Sequence, residues 1–223
     1  MKKIRKAKSA NYIPYLPLSP TEVYIMTHVL IVVDMQNDFI DGILSNPRAQ
    51  EIVPKVAELI RAWDGPVIAT MDTHDASDWV LTPYRKVLRT EMAQLPVHCV
   101  KYTQGWLFAP EIAGALSAVE AKILEKGTFA VKDMWIYEEN EVTSITLVGL
   151  CTDICVISNA LKLVSEYPYK TVRVLRDLCA GTTPEKHEAA LAVMASCLVD
   201  VTDSAHIRDI LEAEVREREE YNL

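Results

Sequence analysis

The chain has 223 residues, of which 50% are apolar and 24% are charged, and its formal net charge at pH 7 is −8. This length and apolar content allow one substantial hydrophobic core, so we predict a single domain, and the acidic balance argues against a nucleic-acid-binding surface. The five cysteines form no CxxC pair and favour a reducing cytoplasm, while no apolar run approaches the roughly 18 residues that cross a bilayer.

The first 27 residues differ in composition from the rest of the chain. They begin with the basic segment MKKIRKAK and continue with a stretch that contains Pro and Tyr, which predicts an extended N-terminal arm rather than a packed element. Residues 28–223 form the predicted single domain. The sequence leaves open whether the arm contacts this domain or a neighbouring subunit.

The domain alternates strand and helix patterns. Residues 29–34 (VLIVVD) and 66–72 (PVIATMD) are continuous apolar runs typical of strands covered on both faces, and each ends in a carboxylate. Residues 47–63 between them have apolar side chains at helical spacing. The further predicted elements are strands at 122–127, 144–150, 171–177 and 197–201, and helices after residue 150, at 183–195 and at 204–219. This order predicts an α/β fold with a doubly wound, mostly parallel sheet of about six strands and helices on both faces.

Residues 73–110 show no steady periodicity, and loops of this length in compact domains usually carry function. Neither a GxGxxG nor a P-loop motif is present. Nothing in the sequence therefore supports nucleotide binding.

A cysteine follows one of the predicted buried strands. Residues 146–161 (TLVGLCTDICVISNAL) predict a strand that passes through a tight turn into a helix, with Cys155 about one turn inside the helix. The positive end of the helix dipole favours the thiolate over the thiol, which would make Cys155 a nucleophile. The alternative is a small apolar core residue, since free cysteines are often buried.

Other polar side chains are predicted at the same edge of the sheet, because ligands bind outside the carboxyl ends of parallel strands. Asp34 and Lys126 end two of the strands. We hypothesise that Asp34 accepts the proton of Cys155 and later returns it to the leaving group, while Lys126 lowers the pKa of the thiol. The backbone N–H groups of Cys151 and Cys155 would form an oxyanion hole. Alternatively, Asp34 caps a helix and Lys126 is a solvated surface residue.

A second group of polar residues has the pattern of a metal site. Asp72 and His74 are two positions apart on an extended segment, so their side chains project to the same side. His98 would complete a three-ligand site that leaves positions for water or substrate. The oxygen and nitrogen ligands suit a divalent metal, Zn²⁺ best, with Fe²⁺ or Mn²⁺ as alternatives. The Asp-x-His pattern alone is a weak signal, because isolated histidines are more often ordinary hydrogen-bonded groups.

The order of these motifs resembles that of the isochorismatase-like cysteine hydrolases, and within them the nicotinamidases. The resemblance extends from residue 29 to about residue 200. The matching segments are VDMQNDF (33–39), MDTH (71–74), PVHCVKYTQGW (96–106), EKGTF (125–129) and VGLCTDICV (148–156).

The resemblance implies an isochorismatase-like hydrolase fold and assigns roles to the candidate residues. It implies a catalytic triad of Asp34, Lys126 and Cys155. It also implies a divalent metal held by Asp72, His74 and His98, and a non-proline cis peptide bond between Leu150 and Cys151. Homo-oligomers are common in this family, so a second copy of the chain is a possible partner.

The sequence departs from the nicotinamidase pattern around the expected substrate pocket. Leu95 stands where nicotinamidases commonly have a tryptophan, and the segment THDASDW (73–79) replaces the usual metal loop, so that Asp75 or Asp78 is a further candidate ligand. Phe39 is a candidate wall for a substrate ring. The other candidate substrate-binding residues are Leu95, Trp106 and Trp135, with Trp79 as another possible aromatic wall, and each tryptophan could equally be ordinary packing.

These motifs predict a metal-assisted cysteine amidohydrolase that converts nicotinamide and water to nicotinic acid and ammonia through a thioester. One alternative is a hydrolase of another small amide, a ureide or an N-carbamoyl compound on the same triad. Another is a non-enzymatic binding module, in which Cys155 would be unreactive. Isochorismate cleavage is disfavoured, since enol-ether hydrolysis does not need a cysteine nucleophile.

Overall fold

A six-stranded sheet forms the centre of the computed structural model. The structure describes residues 27–82, 90–132, 134 and 142–221. All of the predicted arm except its last residue lies outside these ranges, and so does Trp135. The predictions made for these residues therefore stay predictions.

Strands and helices alternate along the described part of the chain. The strands are β1 (Thr27–Val33), β2 (Val67–Asp72), β3 (Lys122–Lys126), β4 (Val142–Leu150), β5 (Thr171–Ala180) and β6 (Asp200–Thr202). The α-helices are α1 (Asn37–Ile40), α2 (Pro47–Ala62), α3 (Thr90–Gln94), α4 (Pro110–Ala118), α5 (Ile157–Glu166), α6 (Pro184–Ser196) and α7 (Ile207–Tyr221). Short 3₁₀ turns occur at Ala76–Trp79 and Ser204–His206, and a π-helical turn at Thr152–Val156 leads into α5.

The sheet has the strand order β3-β2-β1-β4-β5-β6, and all of its strand pairs are parallel. Side chains of β1 alternate between two hydrophobic clusters. Leu30 and Val32 pack with residues of α2 and α4, whereas Val29, Ile31 and Val33 pack with residues of α5 and α6. Helices therefore cover both faces of the sheet, which confirms the predicted doubly wound α/β fold.

Most predicted element boundaries agree with the structure, and their local causes are visible. Helix α2 begins at Pro47 with the Asn46 side chain accepting from the N–H of Arg48, and α6 begins after Thr183, whose side chain accepts from Lys186. The strand predicted at 197–201 was placed too early. Its first residues instead cap α6, Leu198 has a φ of 67°, and β6 begins at Asp200.

The carboxyl ends of β3, β2, β1 and β4 lie side by side, because these strands are parallel neighbours. Gly149 allows β4 to approach β1 closely. Its φ is +116°, and a Cβ atom at this position would lie 2.2 Å from the carbonyl oxygen of Val33. None of the described helices is both long and apolar enough to cross a membrane.

Candidate active site

The side chains of Asp34, Lys126 and Cys155 meet at the carboxyl edge of the sheet. The Lys126 Nζ atom lies 2.7 Å from Asp34 Oδ2 and donates a hydrogen bond to Cys155 Sγ at 3.5 Å. Asp34 follows β1, Lys126 ends β3, and Cys155 belongs to the π-helical turn after β4. All three residues are buried. The structure thus brings together the three residues of the predicted triad.

A threonine of the neighbouring strand orients Asp34. The Thr70 hydroxyl donates to Asp34 Oδ1 at 2.6 Å, and its oxygen lies 3.3 Å from the backbone N–H of Asp34. Asp34 has a φ of 47°, which directs the chain away from β1. The sequence reasoning did not select Thr70, although a polar residue inside the apolar run PVIATMD was a signal.

Burial and charge together set the protonation of Asp34 and Lys126. Burial raises the pKa of Asp34, and the charge of Lys126 opposes that rise. Burial alone would lower the pKa of Lys126, but the charges of Asp34, Cys155 and Asp72 raise it above its ordinary value. Lys126 is therefore a permanent cation, and Asp34 is a stronger base than a solvated aspartate.

The pKa of the Cys155 thiol is raised well above its ordinary value, first by burial and then by the charge of Asp34, while Lys126 acts in the opposite direction. This direction argues against the predicted preformed thiolate. The prediction considered how the helix dipole and the Lys126 ammonium lower the pKa of the thiol. It did not consider that burial and the negative charge of Asp34 raise this pKa. Burial and the Asp34 charge thus favour a resting thiol, which would lose its proton during the reaction.

The turn that presents Cys155 is held by several interactions. The peptide bond between Leu150 and Cys151 is cis, as the family resemblance implied. The Cys151 carbonyl accepts from the N–H groups of Ile154 at 3.0 Å and Val156 at 3.1 Å. The Thr152 hydroxyl is 2.8 Å from the Nδ1 atom of His187, a buried α6 residue that the sequence reasoning did not place at the site.

Asp72, His74 and His98 form a second buried cluster beside the triad. Asp72 Oδ2 lies 3.0 Å from His74 Nε2 and 3.2 Å from His98 Nε2. One possible ligand atom from each residue lies within 4.8 Å of the others, so a single ion can contact all three. The structure thus brings together the predicted metal ligands.

The chemistry of these residues fits a divalent cation. Burial raises the pKa of Asp72, but the hydrogen bonds from His74 and His98 and the charge of Lys126 lower it below its usual range, so the carboxylate is ionised. His98 Nδ1 is 2.8 Å from the carbonyl oxygen of Pro96. That contact fits a proton on Nδ1, which leaves Nε2 as the ligand atom. A carboxylate and two imidazoles form a donor set typical of zinc and related ions.

The two further candidate ligands belong to the 3₁₀ turn after β2. Asp75 accepts from the N–H of Ser77 at 3.0 Å, and Asp78 accepts from the N–H of Asp75 at 3.2 Å. Asp78 Oδ2 also lies 3.9 Å from His74 Nδ1, the ring nitrogen that faces away from Asp72. Asp75 thus caps the turn, and Asp78 lies near His74 at a distance longer than a hydrogen bond. Within the described residues, the metal cluster itself contains neither of them.

Gln36 and Asp38 connect the first motif to the metal ligands. The Gln36 amide donates to the carbonyl oxygens of Asp72 at 2.9 Å and Trp106 at 2.7 Å, and its oxygen accepts from the N–H of Asp72 at 2.7 Å. Asp38 accepts from the N–H of Cys99, next to His98, at 2.7 Å. The sequence reasoning assigned neither residue a role, although both belong to the motif VDMQNDF.

A cavity of about 380 Å³ opens above both clusters, and Cys155, Asp72 and His98 form part of its wall. Two of the four predicted substrate-binding residues, Phe39 and Leu95, also line it. The Phe39 ring lies 5.9 Å from that of His98.

Trp106 is not among the described residues that line the cavity, because its indole N–H donates to the Thr73 hydroxyl at 2.8 Å. Trp79 packs edge-on against the rings of His74 and His98. These two tryptophans therefore support the loops and the metal ligands. Neither of them is among the described residues that line this cavity.

Comparison with known proteins connects this geometry to named relatives. The chain is 27% identical to the nicotinamidase of Saccharomyces cerevisiae over 184 residues, which are 66% of this chain and 85% of that protein. It is 29% identical to the nicotinamidase/pyrazinamidase of Mycobacterium tuberculosis over 195 residues, which are 79% of this chain and 98% of that protein.

Solved structures share the fold. A Pyrococcus horikoshii pyrazinamidase in complex with zinc is 29% identical, with a TM-score of 0.63 over 79% of this chain and 98% of that one. The nicotinamidase/pyrazinamidase from Bacillus subtilis, 24% identical, has a TM-score of 0.67 over 80% of this chain and 100% of that one. The profile of the Isochorismatase domain matches residues 28–206, which is most of the chain. This protein therefore belongs to the isochorismatase family.

Proposed function

We propose that this protein is a metal-assisted cysteine amidohydrolase that converts nicotinamide and water to nicotinic acid and ammonia. The observation that carries the proposal is the contact of Lys126 Nζ with both Asp34 Oδ2 and Cys155 Sγ, at 2.7 Å and 3.5 Å, beside a cavity. A nucleophile, a base and a permanent cation are the groups that acyl transfer through a thioester requires. The names of the relatives, nicotinamidase and pyrazinamidase, support the choice of substrate.

The first half of the reaction forms the thioester. Cys155 Sγ attacks the amide carbon while its proton passes to Asp34, whose raised pKa makes it a suitable acceptor. We assign the backbone N–H groups of Cys151 and Cys155 as the oxyanion hole for the tetrahedral intermediate. The C–N bond then breaks, Asp34 returns the proton to the departing nitrogen, and ammonia leaves.

The second half consumes water. Asp34 accepts a proton from a water molecule that attacks the thioester carbon, the C–S bond breaks, and Asp34 returns the proton to Cys155. Nicotinic acid then leaves. Lys126 remains protonated throughout and holds the carboxylate of Asp34 in place.

Asp72, His74 and His98 would hold a divalent ion, which we assign as Zn²⁺. When bound, this ion supplies a Lewis-acidic site for the ring nitrogen, directly or through its waters. Phe39, next to His98, provides an apolar face for the ring. Gln36 acts through a ligand by fixing the position of the Asp72 backbone.

Ammonia release from nicotinamide by the zinc-loaded protein tests the proposal. The variant Cys155→Ala should lose turnover and keep its circular dichroism spectrum, whereas Cys197→Ala, which removes an exposed cysteine, should keep both. Turnover by Cys155→Ala at the wild-type rate would exclude the thioester route.

The same assay separates the rival functions. A panel of small amides, ureides and N-carbamoyl compounds identifies a hydrolase with another substrate. A binding module predicts no turnover of any of them. The cytoplasmic setting and a homo-oligomeric state stay predictions.

A further inference from the structure

The cavity extends well beyond the reacting groups. Three of its lining residues, Asp72, His98 and Cys155, are buried, whereas Ile43 and Phe129 expose 59% and 43% of their surfaces to solvent. Its volume of about 380 Å³ falls in the range of pockets, roughly 300–1,000 Å³, that enclose drug-sized ligands. A single pyridine ring with one amide group fills only the inner part of such a space.

The outer part of the cavity is apolar. Leu44 and Ile154 line it together with Ile43 and Phe129. Among the described residues, no lysine or arginine lines the cavity, and Asp72 is its only carboxylate. An extension that carries a carboxylate or a phosphate would lose its hydration there without gaining a cation from the described lining residues. The lining therefore favours an uncharged, apolar group.

Ser45, Asn46 and Thr182 are the uncharged polar residues in the described lining, and the last two already use their side chains within the protein. The Asn46 amide donates to the carbonyl of Gly181 and caps α2, and the N–H and hydroxyl of Thr182 both donate to Asp153. These groups have little hydrogen-bonding capacity left for a polar substituent. This again favours an apolar extension.

The backbone fixes the positions of the two exposed apolar residues. Asn159 donates to the Phe129 carbonyl at 3.2 Å and accepts from the N–H of Val131 at 3.0 Å. The residue after Ile43, Leu44, donates through its N–H to the Asp38 carbonyl at 2.9 Å. Two large apolar side chains held beside a nucleophile form a preorganised surface for a ligand.

We infer that the preferred substrates are carboxamides whose ring carries an uncharged apolar extension, and that Ile43 and Phe129 contact this extension. The inference rests on the proposed function, because it places the amide group at Cys155 and the ring beside Phe39. It narrows the substrate class to amides larger and more apolar than nicotinamide.

Three amides test the substrate class in the zinc-loaded full chain: nicotinamide, a nicotinamide with a neutral alkyl or phenyl group on the ring, and a similar-sized analogue that ends in a carboxylate. We expect kcat/KM for the neutral extended amide to exceed that for nicotinamide by about tenfold, the lower end of what one apolar group contributes in a hydrophobic pocket. The carboxylate analogue should be poorer than the neutral one. A neutral extended amide that is a poorer substrate than nicotinamide would overturn the inference.

Variants test the two contact residues. In Ile43→Ser, in Phe129→Ser and in the double variant, the ratio of kcat/KM for the extended amide to kcat/KM for nicotinamide should fall, by about tenfold in the double variant. The matched control Val193→Ser removes an exposed apolar side chain of α6, away from the cavity, and should keep the wild-type ratio. An unchanged ratio in all three variants would refute the assignment of these residues.

The outcomes separate this inference from the proposed function. Hydrolysis of the extended amide without hydrolysis of nicotinamide supports the inference and refutes nicotinamide as the substrate. Hydrolysis of nicotinamide without hydrolysis of the extended amide refutes the inference alone. If neither amide releases ammonia, both are refuted.

Discussion

The substitution Asp34→Asn separates the charge of Asp34 from its hydrogen bonding, because asparagine keeps an oxygen that can accept from the Thr70 hydroxyl. In the wild type, Lys126 Nζ lies 2.7 Å from Asp34 Oδ2 and 3.5 Å from Cys155 Sγ, so the carboxylate competes with the sulfur for one ammonium. The charge of Asp34 also contributes to the raised pKa of Cys155. We therefore predict that Asp34→Asn lowers this pKa and accelerates alkylation of Cys155, although it blocks amide hydrolysis.

The distances set the size of the effect. Because both contacts share Nζ, Asp34 Oδ2 and Cys155 Sγ are at most 2.7 + 3.5 = 6.2 Å apart. At this separation two unit charges repel by about 2.7 kcal/mol at an effective dielectric constant of about 20, which corresponds to about a hundredfold change in the thiolate fraction. A thiolate of lower pKa is a weaker nucleophile, with a Brønsted coefficient of about 0.4–0.5, so we expect alkylation to be about tenfold faster.

Iodoacetamide labelling of the Cys155 peptide, followed by mass spectrometry at several pH values, measures this effect. Cys155→Ala gives the background from the other cysteines, and Asp64→Asn removes an exposed carboxylate as a matched control that should leave labelling unchanged. Hydrolysis by Asp34→Asn should fall by about 10²–10⁴-fold, the usual contribution of a general base. Slower labelling in Asp34→Asn than in the wild type would show that Asp34 removes the proton before substrate binds, and would refute the reasoning.

Further substitutions and metal removal test the surroundings of the nucleophile. Lys126→Met leaves the Asp34 carboxylate buried without its cation and should lower the free energy of unfolding in urea by about 3–5 kcal/mol at neutral pH. Since burial raises the folded pKa of Asp34 above 3.8, this loss of unfolding free energy should grow as pH rises from 4. A loss below about 1 kcal/mol at neutral pH would contradict a stabilising ion pair between Lys126 and Asp34. Gln36→Met should weaken zinc binding by about 10–100-fold in a chelator competition assay, whereas the exposed control Gln50→Met should not. Equal zinc affinities of Gln36→Met and the wild type would refute the positioning role of Gln36. Chelation should abolish hydrolysis, and zinc should restore it. Full activity of the metal-free protein would exclude a role for the metal.

The sheet was predictable from the sequence because its strands are continuous apolar runs between helices with clear caps. Helix α4 was not predicted, since PEIAGALSA is short and consists mainly of small residues, so its apolar positions give little contrast. The predicted strand at 197–201 failed for another reason. Cys197 and Leu198 have the apolar character of a strand, but they end α6, and the backbone at Leu198 has a positive φ.

The candidate site was predictable where chain order and strand ends determine position. Asp34, Lys126 and Cys155 follow three strands whose carboxyl ends meet, and the motifs selected them among many polar residues. The protonation state of Cys155 was not predictable, because its pKa depends on burial and on the distance to a carboxylate far away in sequence. The position of Trp106 was not predictable either, since an aromatic residue in a functional loop packs against the protein as readily as against a ligand.

Lys126 joins the two halves of the site in a way that no motif indicates. Its Nζ atom lies 3.6 Å from Asp72 Oδ1, while the other oxygen of Asp72 faces His74 and His98. A cation bound to Asp72 offsets the negative charge of that carboxylate. The attraction between Lys126 and Asp72 then weakens, and the positive charge of Lys126 stabilises Asp34 and the sulfur more strongly. Loss of Asp72 therefore removes a metal ligand and also the carboxylate that faces Lys126, whereas loss of either histidine removes a ligand and leaves that carboxylate in place. Activity lost in a histidine variant therefore measures the contribution of the metal, including its effect on Lys126, whereas activity lost in an Asp72 variant also includes the loss of the carboxylate beside Lys126.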